Sequence, residues 1–146
     1  MRIINKKALH DYYILESFEA GIQLRGAEVK AIREGRIDLG QSYARIIGGE
    51  AFLVNANIPR YHNAPIKDYD PTRSRKLLLH KKQIQSLIGR LSSGGATLVP
   101  VSVYEKNNLM KVELGIAKSK KEFDKRKVKK ERDQQRRIEQ EMRGKE

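Results

Sequence analysis

The stretch Tyr43-Ala44-Arg45-Ile46-Ile47-Gly48-Gly49-Glu50-Ala51-Phe52-Leu53-Val54 decides the fold. Two short runs of strand-forming residues flank a Gly-Gly pair. Glycine accepts the positive φ of a tight turn, so the pattern predicts a hairpin with strands over Tyr43 to Ile47 and Ala51 to Val54. On the N-terminal side, Tyr12 to Leu15 is rich in strand formers. Phe18 to Leu24 alternates, with Phe18, Ala20, Ile22 and Leu24 on one face and Glu19, Gly21 and Gln23 on the other. On the C-terminal side, Ala96 to Tyr104 reads as a strand in which Pro100 requires an edge or a bulge. Asn107-Asn108 then turns the chain into Met110 to Ala117, where Val112, Leu114 and Ile116 oppose Lys111 and Glu113.

Two helices interrupt this β pattern. A short one is predicted from about Glu28 to Glu34, with Val29 and Ile32 three apart and Gly35 ending it. A longer one is predicted from about His80 to Leu91. Its Ile84, Leu87, Ile88 and Leu91 fall at i, i+3, i+4 and i+7, and Ser92-Ser93-Gly94-Gly95 terminates it. Arg60 to Arg75 lacks periodicity and reads as a long loop. Five or six short antiparallel strands with a couple of helices predict a mainly β chain folded as a small closed barrel. The OB-fold best fits a basic body with uncovered strand faces. Periodicity alone leaves an SH3-like barrel or an open α+β sheet as alternatives.

The last 29 residues, Lys118 to Glu146, differ in kind. They hold 13 of the 31 Lys and Arg and seven of the 18 Asp and Glu, a net +6 out of the chain's +13. Phe123, Val128, Ile138 and Met142 are their only large apolar residues. Too little apolar surface is available to offset the entropy of ordering. The expected organisation is therefore a folded body over 1–117 and a basic C-terminal tail over 118–146, disordered when free. Asp133/Arg137 and Glu139/Arg143 are acid-then-base pairs at i, i+4, so the tail is expected to become helical once docked on polyphosphate.

A positive charge on both parts points to an anionic partner, and the shortage of large apolar residues on the tail favours nucleic acid over a membrane. The 146 residues include no Cys, which removes thiolate catalysis and Cys-ligated zinc. His10, His62 and His80 lack metal-ligand spacing, and His10-Asp11 reads as a surface pair. No phosphate-cradling glycine loop is present, so an enzyme is not expected, nor a cofactor, a metal or a small-molecule substrate. The first residues contain no apolar stretch of signal-peptide length, and no segment approaches the roughly 20 apolar residues of a membrane span, so the expected compartment is the cytoplasm.

Three basic segments are candidate RNA contacts. Arg73 to Lys82 places cations around three leucines, with Leu77 and Leu79 on one face of an extended segment and Leu78 on the other. It reads equally as a solvated lead-in to the second helix. Lys30, Arg33 and Arg36 recur every three residues, either as a cationic ridge or as the solvated side of an amphipathic turn. In Lys118 to Arg126, Phe123 is a lone aromatic among cations, able to stack on an exposed base.

Taken in order, several stretches resemble the SsrA-binding protein (SmpB) family: Asn5 to Tyr12, Phe18 to Ile22, Gly26 to Arg33, Gly49 to Leu53, Asp70 to His80, Val112 to Ala117, and Lys120-Lys121 with Asp124-Lys125-Arg126. The resemblance implies an OB-type barrel and binding to the tRNA-like domain of transfer-messenger RNA. It also implies entry into the A site of a stalled ribosome, with the tail in the vacant downstream mRNA channel. By matching position, Glu19, Leu78 and His80 are expected to contact RNA. Lys6, Lys7, Lys30, Arg33, Arg75 and Lys76 are expected RNA-binding cations beside them. Lys120, Lys121, Phe123, Asp124, Lys125 and Arg126 are expected to contact the ribosome. Ser119 stands where many members have Gly, and Phe123 where they often have His or Tyr. A ribosomal or general single-strand RNA-binding OB protein is the alternative, since it needs only charge, aromatics and a barrel.

Overall fold

Gly48 and Gly49 both adopt positive φ, +59° and +77°, and join β3 (Tyr43–Ile47) to β4 (Glu50–Val54) in the expected hairpin, with Ile47 opposite Glu50. Asn107 and Asn108 do the same at +52° and +62° between β6 (Thr97–Lys106) and β7 (Leu109–Ser119). Asparagine is among the few non-glycine residues that tolerate this region. The computed structural model from which this geometry comes describes residues 1–121 and 132–138.

The remaining elements are β1 (Arg2–Ile4), α1 (Lys6–Asp11), β2 (Tyr12–Ile22), α2 (Gly26–Arg33), β5 (Arg75–Leu78) and α3 (Lys81–Ser92). The sheet is antiparallel throughout, ordered β1-β6-β3-β4-β5-β2-β7. An additional β6–β7 pairing closes six of the strands into a ring, with β1 outside it on β6. The links differ in extent. β2 and β7 pair from Tyr12↔Ser119 to Gly21↔Lys111, whereas β3 meets β6 only at Ala44↔Leu98.

Leu53, Leu77, Leu98, Val103, Val112, Leu114 and Ile116 fill the interior, joined by Ala31 and Ile32 of α2 and Leu87 of α3. Burying each large aliphatic side chain contributes about 1.5–3 kcal/mol. The alternation in β7 holds, with Val112, Leu114 and Ile116 inside and Lys111 and Glu113 partly exposed. Pro100 sits at the irregularity where register shifts between Pro100 and Ser102, so the bulge is realised, although β6 is not an edge.

Several elements differ from expectation. The run Tyr12 to Leu15 and the Phe18 to Ile22 part of the second run form one strand, β2, which ends two residues before Leu24 and is bent by an irregularity between Ile14 and Glu16. Ile88 stands 46% exposed, because α3 turns Ile84 and Leu87, not its whole apolar stripe, onto the core. β7 continues to Ser119, two residues past Ala117. β1 and α1 were not anticipated. Their anchor is the buried Asn5, whose amide donates to the carbonyls of Pro100 (2.9 Å) and Leu39 (3.2 Å) and whose side-chain oxygen caps α1 at the Ala8 N–H (3.2 Å). Residues 132–138 are helical with every side chain exposed.

Candidate nucleic-acid interface

β5 is sandwiched between β4 and β2, and its alternation sends Leu77 into the core and Leu78 outward. Leu78 is 47% exposed, high for a leucine in a paired strand. It lies on the floor of an open groove of about 670 Å³ bounded by β2, β4, β5, β7 and the start of α3. Glu19, Lys76, Leu78 and His80 all line this groove. Four residues singled out from segments 57 positions apart thus share one surface. Lys81 and Lys111 join them, two cations that were not chosen from the sequence. Outward alternation was the only signal for Lys111, and a place in the basic stretch the only one for Lys81.

The groove mixes cations with two carboxylates. Lys76 Nζ lies 3.4 Å from Glu50 Oε1, an exposed pair worth roughly 0–1 kcal/mol and easily exchanged for phosphate. Glu19 accepts from the Tyr104 hydroxyl, with Lys106 Nζ at 3.5 Å from the same oxygen. The tyrosine hydrogen bond, and secondarily Lys106 and Lys111, hold the Glu19 carboxyl below the usual glutamate value. Burial, reinforced by Glu19, pushes the Tyr104 phenol up to about 12. Near neutral pH the glutamate is therefore an anionic acceptor and the tyrosine a donor. His80 is the N-cap residue of α3; its backbone N–H donates to Gln83 Oε1 at 3.0 Å and its side chain is exposed.

Arg75 corrects the sequence reading. It was expected at the RNA, yet its side chain is 0% exposed. Nε donates to Glu28 Oε2 (2.6 Å), Nη1 to the Ala56 carbonyl (2.7 Å) and Nη2 to the Pro71 carbonyl (2.9 Å). A guanidinium so enclosed cannot reach a phosphate. Arg73 is drawn in as well, with Nη2 at 2.5 Å from Glu28 Oε1. Two of the cations in the basic stretch therefore tie the 60–75 loop to α2, and the exposed ones begin at Lys76.

Other expected contacts lie elsewhere. Lys6 and Lys7 are exposed on α1, where Lys7 borders a separate depression with Gln41 and Tyr43. Lys30 and Arg33 are exposed on α2 and do not line the groove. Lys30 reaches over the Tyr61 ring at 5.6 Å, and Arg33 is held by Glu105 at 2.8 Å. The Lys30–Arg33–Arg36 ridge is thus partly neutralised. Lys120 is tied to the body, its Nζ donating to the Leu9 carbonyl at 3.2 Å and lying 5.3 Å from the Tyr13 ring. Lys121 is exposed beside it. Phe123, Asp124, Lys125 and Arg126 lie outside the described residues.

His10 Nδ1 and Asp11 Oδ1 do pair, at 2.9 Å on the surface. Among the described residues no group of three His, Asp or Glu side chains could hold a metal ion, and no helix is long and apolar enough to cross a membrane.

A family model described as SmpB protein matches residues 2–144. The chain belongs to the SmpB family. The SsrA-binding protein of Thermosipho melanesiensis is 49% identical over 147 residues, covering 99% of this chain and all of the relative. That of Shouchella clausii is 53% identical over 135 residues, covering 92% of this chain and 86% of the relative. A solved chain from work described as "tmRNA-SmpB: a journey to the center of the bacterial ribosome" superposes with a TM-score of 0.69 at 44% identity, over 82% of this SmpB-family chain and 84% of that one.

Proposed function

We infer that this SmpB-family chain is an RNA-binding factor of trans-translation. It binds the tRNA-like domain of transfer-messenger RNA, stands where an anticodon arm would be, and brings the alanyl-charged RNA to stalled ribosomes. The observation that carries this reading is one groove lined by Glu19, Lys76, Leu78 and His80, on a chain whose close relatives are SsrA-binding proteins. An apolar side chain between a fixed acceptor and several lysines suits a base or sugar flanked by phosphates. The role is one of binding, without catalysis.

The closed six-strand ring is read as an OB-type barrel, a reading supported by its antiparallel pairing and its capping helices. The body over 1–117 is the RNA-binding unit, and the tail over 118–146 is the ribosome-contacting one. For the tail the support is its charge and the motif Lys120-Lys121 with Asp124-Lys125-Arg126. A vacant mRNA channel offers that tail a phosphate-lined groove, and a channel holding mRNA does not. The tail thereby distinguishes a ribosome whose message has run out.

Binding of the purified protein to the isolated tRNA-like domain tests the reading. It is run at near-physiological salt with excess unrelated structured RNA. Binding that survives the competitor supports specific recognition. Binding that collapses leaves a general basic RNA binder, the behaviour of the ribosomal or single-strand alternative.

A further inference from the structure

Glu19 and Tyr104 are 85 positions apart and sit on strands that do not pair with each other. Both flank β7, on which Glu113 lies opposite Glu19 and Lys111 opposite Tyr104. Their side chains meet across β7 on its outer face, where the Tyr104 hydroxyl donates to Glu19 Oε2. Lys106 Nζ approaches the same oxygen at 3.5 Å. Oε1 has no partner among the described residues. One carboxylate oxygen is thus held by the protein, and the other remains for whatever enters the groove that Glu19 lines. Tyr104 itself does not line that groove.

The tyrosine is in turn held from behind. The Arg2 guanidinium lies over its ring, 4.2 Å from the centroid, while Arg2 Nη1 donates to Ser102 Oγ (2.9 Å) and Glu113 Oε2 (3.1 Å). The two hydrogen bonds hold the guanidinium in place, and its cation–π contact steadies the ring. β1, which pairs with β6 outside the ring, thereby reaches the groove through a relay from Arg2 to Tyr104 to Glu19.

We propose that Tyr104 is a positioning residue for RNA recognition, its hydroxyl clamping Oε2 of Glu19 so that Oε1 meets an N–H or O–H donor of a base or ribose in the groove. This rests on the reading of the groove as an RNA site and deepens it. A glutamate among phosphates is repelled unless its free oxygen meets a donor, so its orientation decides whether it contributes or opposes. An unclamped side chain spends rotamer entropy to find that orientation on every encounter. The raised phenol keeps its proton at neutral pH, as the donor role requires.

The test is a double-mutant cycle in the full chain on affinity for the isolated tRNA-like domain of transfer-messenger RNA. Tyr104→Phe removes the hydroxyl and keeps the ring under Arg2. Affinity should fall roughly five- to tenfold, the scale of one ordinary net hydrogen bond. In a Glu19→Ala background the same change should cost nothing further. A role confined to stability would lower affinity equally in both backgrounds, and that result overturns the proposal. Unchanged affinity for Tyr104→Phe alongside a weakened Glu19→Ala also overturns it, leaving the groove reading intact. Full-strength binding by Glu19→Ala removes Glu19 from the interface, and the positioning role with it.

Discussion

A β-carbon built on Gly21 would lie 3.1 Å from Leu78 Cβ and 3.3 Å from its Cδ1. The two residues are register partners across β2 and β5, and the missing side chain of Gly21 is the space over which Leu78 lies. Gly21 does not occupy the positive-φ region, so alanine is tolerated by the backbone there. Gly21→Ala should therefore leave the fold intact and displace Leu78 by a few tenths of an ångström. We expect affinity for the tRNA-like domain to fall about threefold, with Leu78→Ala, which removes the apolar contact itself, costing more. Parallel binding curves and thermal melts separate the two effects.

Glu28 is the buried anchor of α2. Burial pushes its carboxyl up, but hydrogen bonds from Arg73, the Arg25 N–H and Arg75 together bring it below the ordinary glutamate value of 4.5. A folded-state value below the unfolded one means that the unfolded chain binds the proton more readily between the two. The stabilisation is fully present above about 4.5 and is lost as pH falls through the lowered folded value. Denaturant midpoints should therefore drop on acidification below 4.5, and Glu28→Gln should flatten this component of the slope. At neutral pH Glu28→Gln leaves the fully buried Arg75 without its counter-charge, so we expect a loss of about 3–5 kcal/mol by urea titration.

That network also explains what the sequence hid. The hairpin about Gly48-Gly49, the turn at Asn107-Asn108 and the alternation of β7 are local signals, legible because φ preference and period act over a few residues. The same period placed Leu78 on the face opposite Leu77 and Leu79, without saying which face is outward. Arg75 was misassigned because charge density cannot distinguish a cation facing solvent from one folded onto a glutamate 47 positions earlier. β1 and α1 escaped for a related reason: the amide N–H groups of their anchor, Asn5, donate to Leu39 and Pro100, both distant in sequence. Tyr104 carried no signal, since its meaning depends on β7 bringing it beside Glu19. Local conformation was readable, and long-range polar partnerships were not.

Gly115 is the most crowded glycine of the ring. An added β-carbon would lie 2.9 Å from both Ile14 Cγ2 and Val101 Cγ2, where β2, β7 and β6 come together. Branched side chains on two flanking strands cannot both retreat. Gly115→Ala should destabilise the chain by roughly 1–3 kcal/mol, read as a lower urea midpoint at unchanged slope. Adding Val101→Ala frees one side and should recover part of the loss.

Where the body ends has a measurable consequence. β7 pairs with β2 as far as Tyr12↔Ser119, and Lys120 is tied to the end of α1 through the Leu9 carbonyl. A chain ending at Ala117 loses the pairs Tyr13↔Lys118 and Tyr12↔Ser119 together with that contact, while one ending at Lys121 keeps all three. The shorter chain should melt a few degrees lower, the shift expected of about 1 kcal/mol in a domain of this size. Both should bind the tRNA-like domain nearly as the full chain does, because the groove over Glu19, Lys76 and Leu78 is untouched. Neither should support peptide tagging on stalled ribosomes, since both lack Asp124-Lys125-Arg126. Melting, RNA binding and a tagging reaction on the same preparations separate these outcomes. Normal tagging by the chain ending at Lys121 would show that the tail is not the ribosome-sensing part.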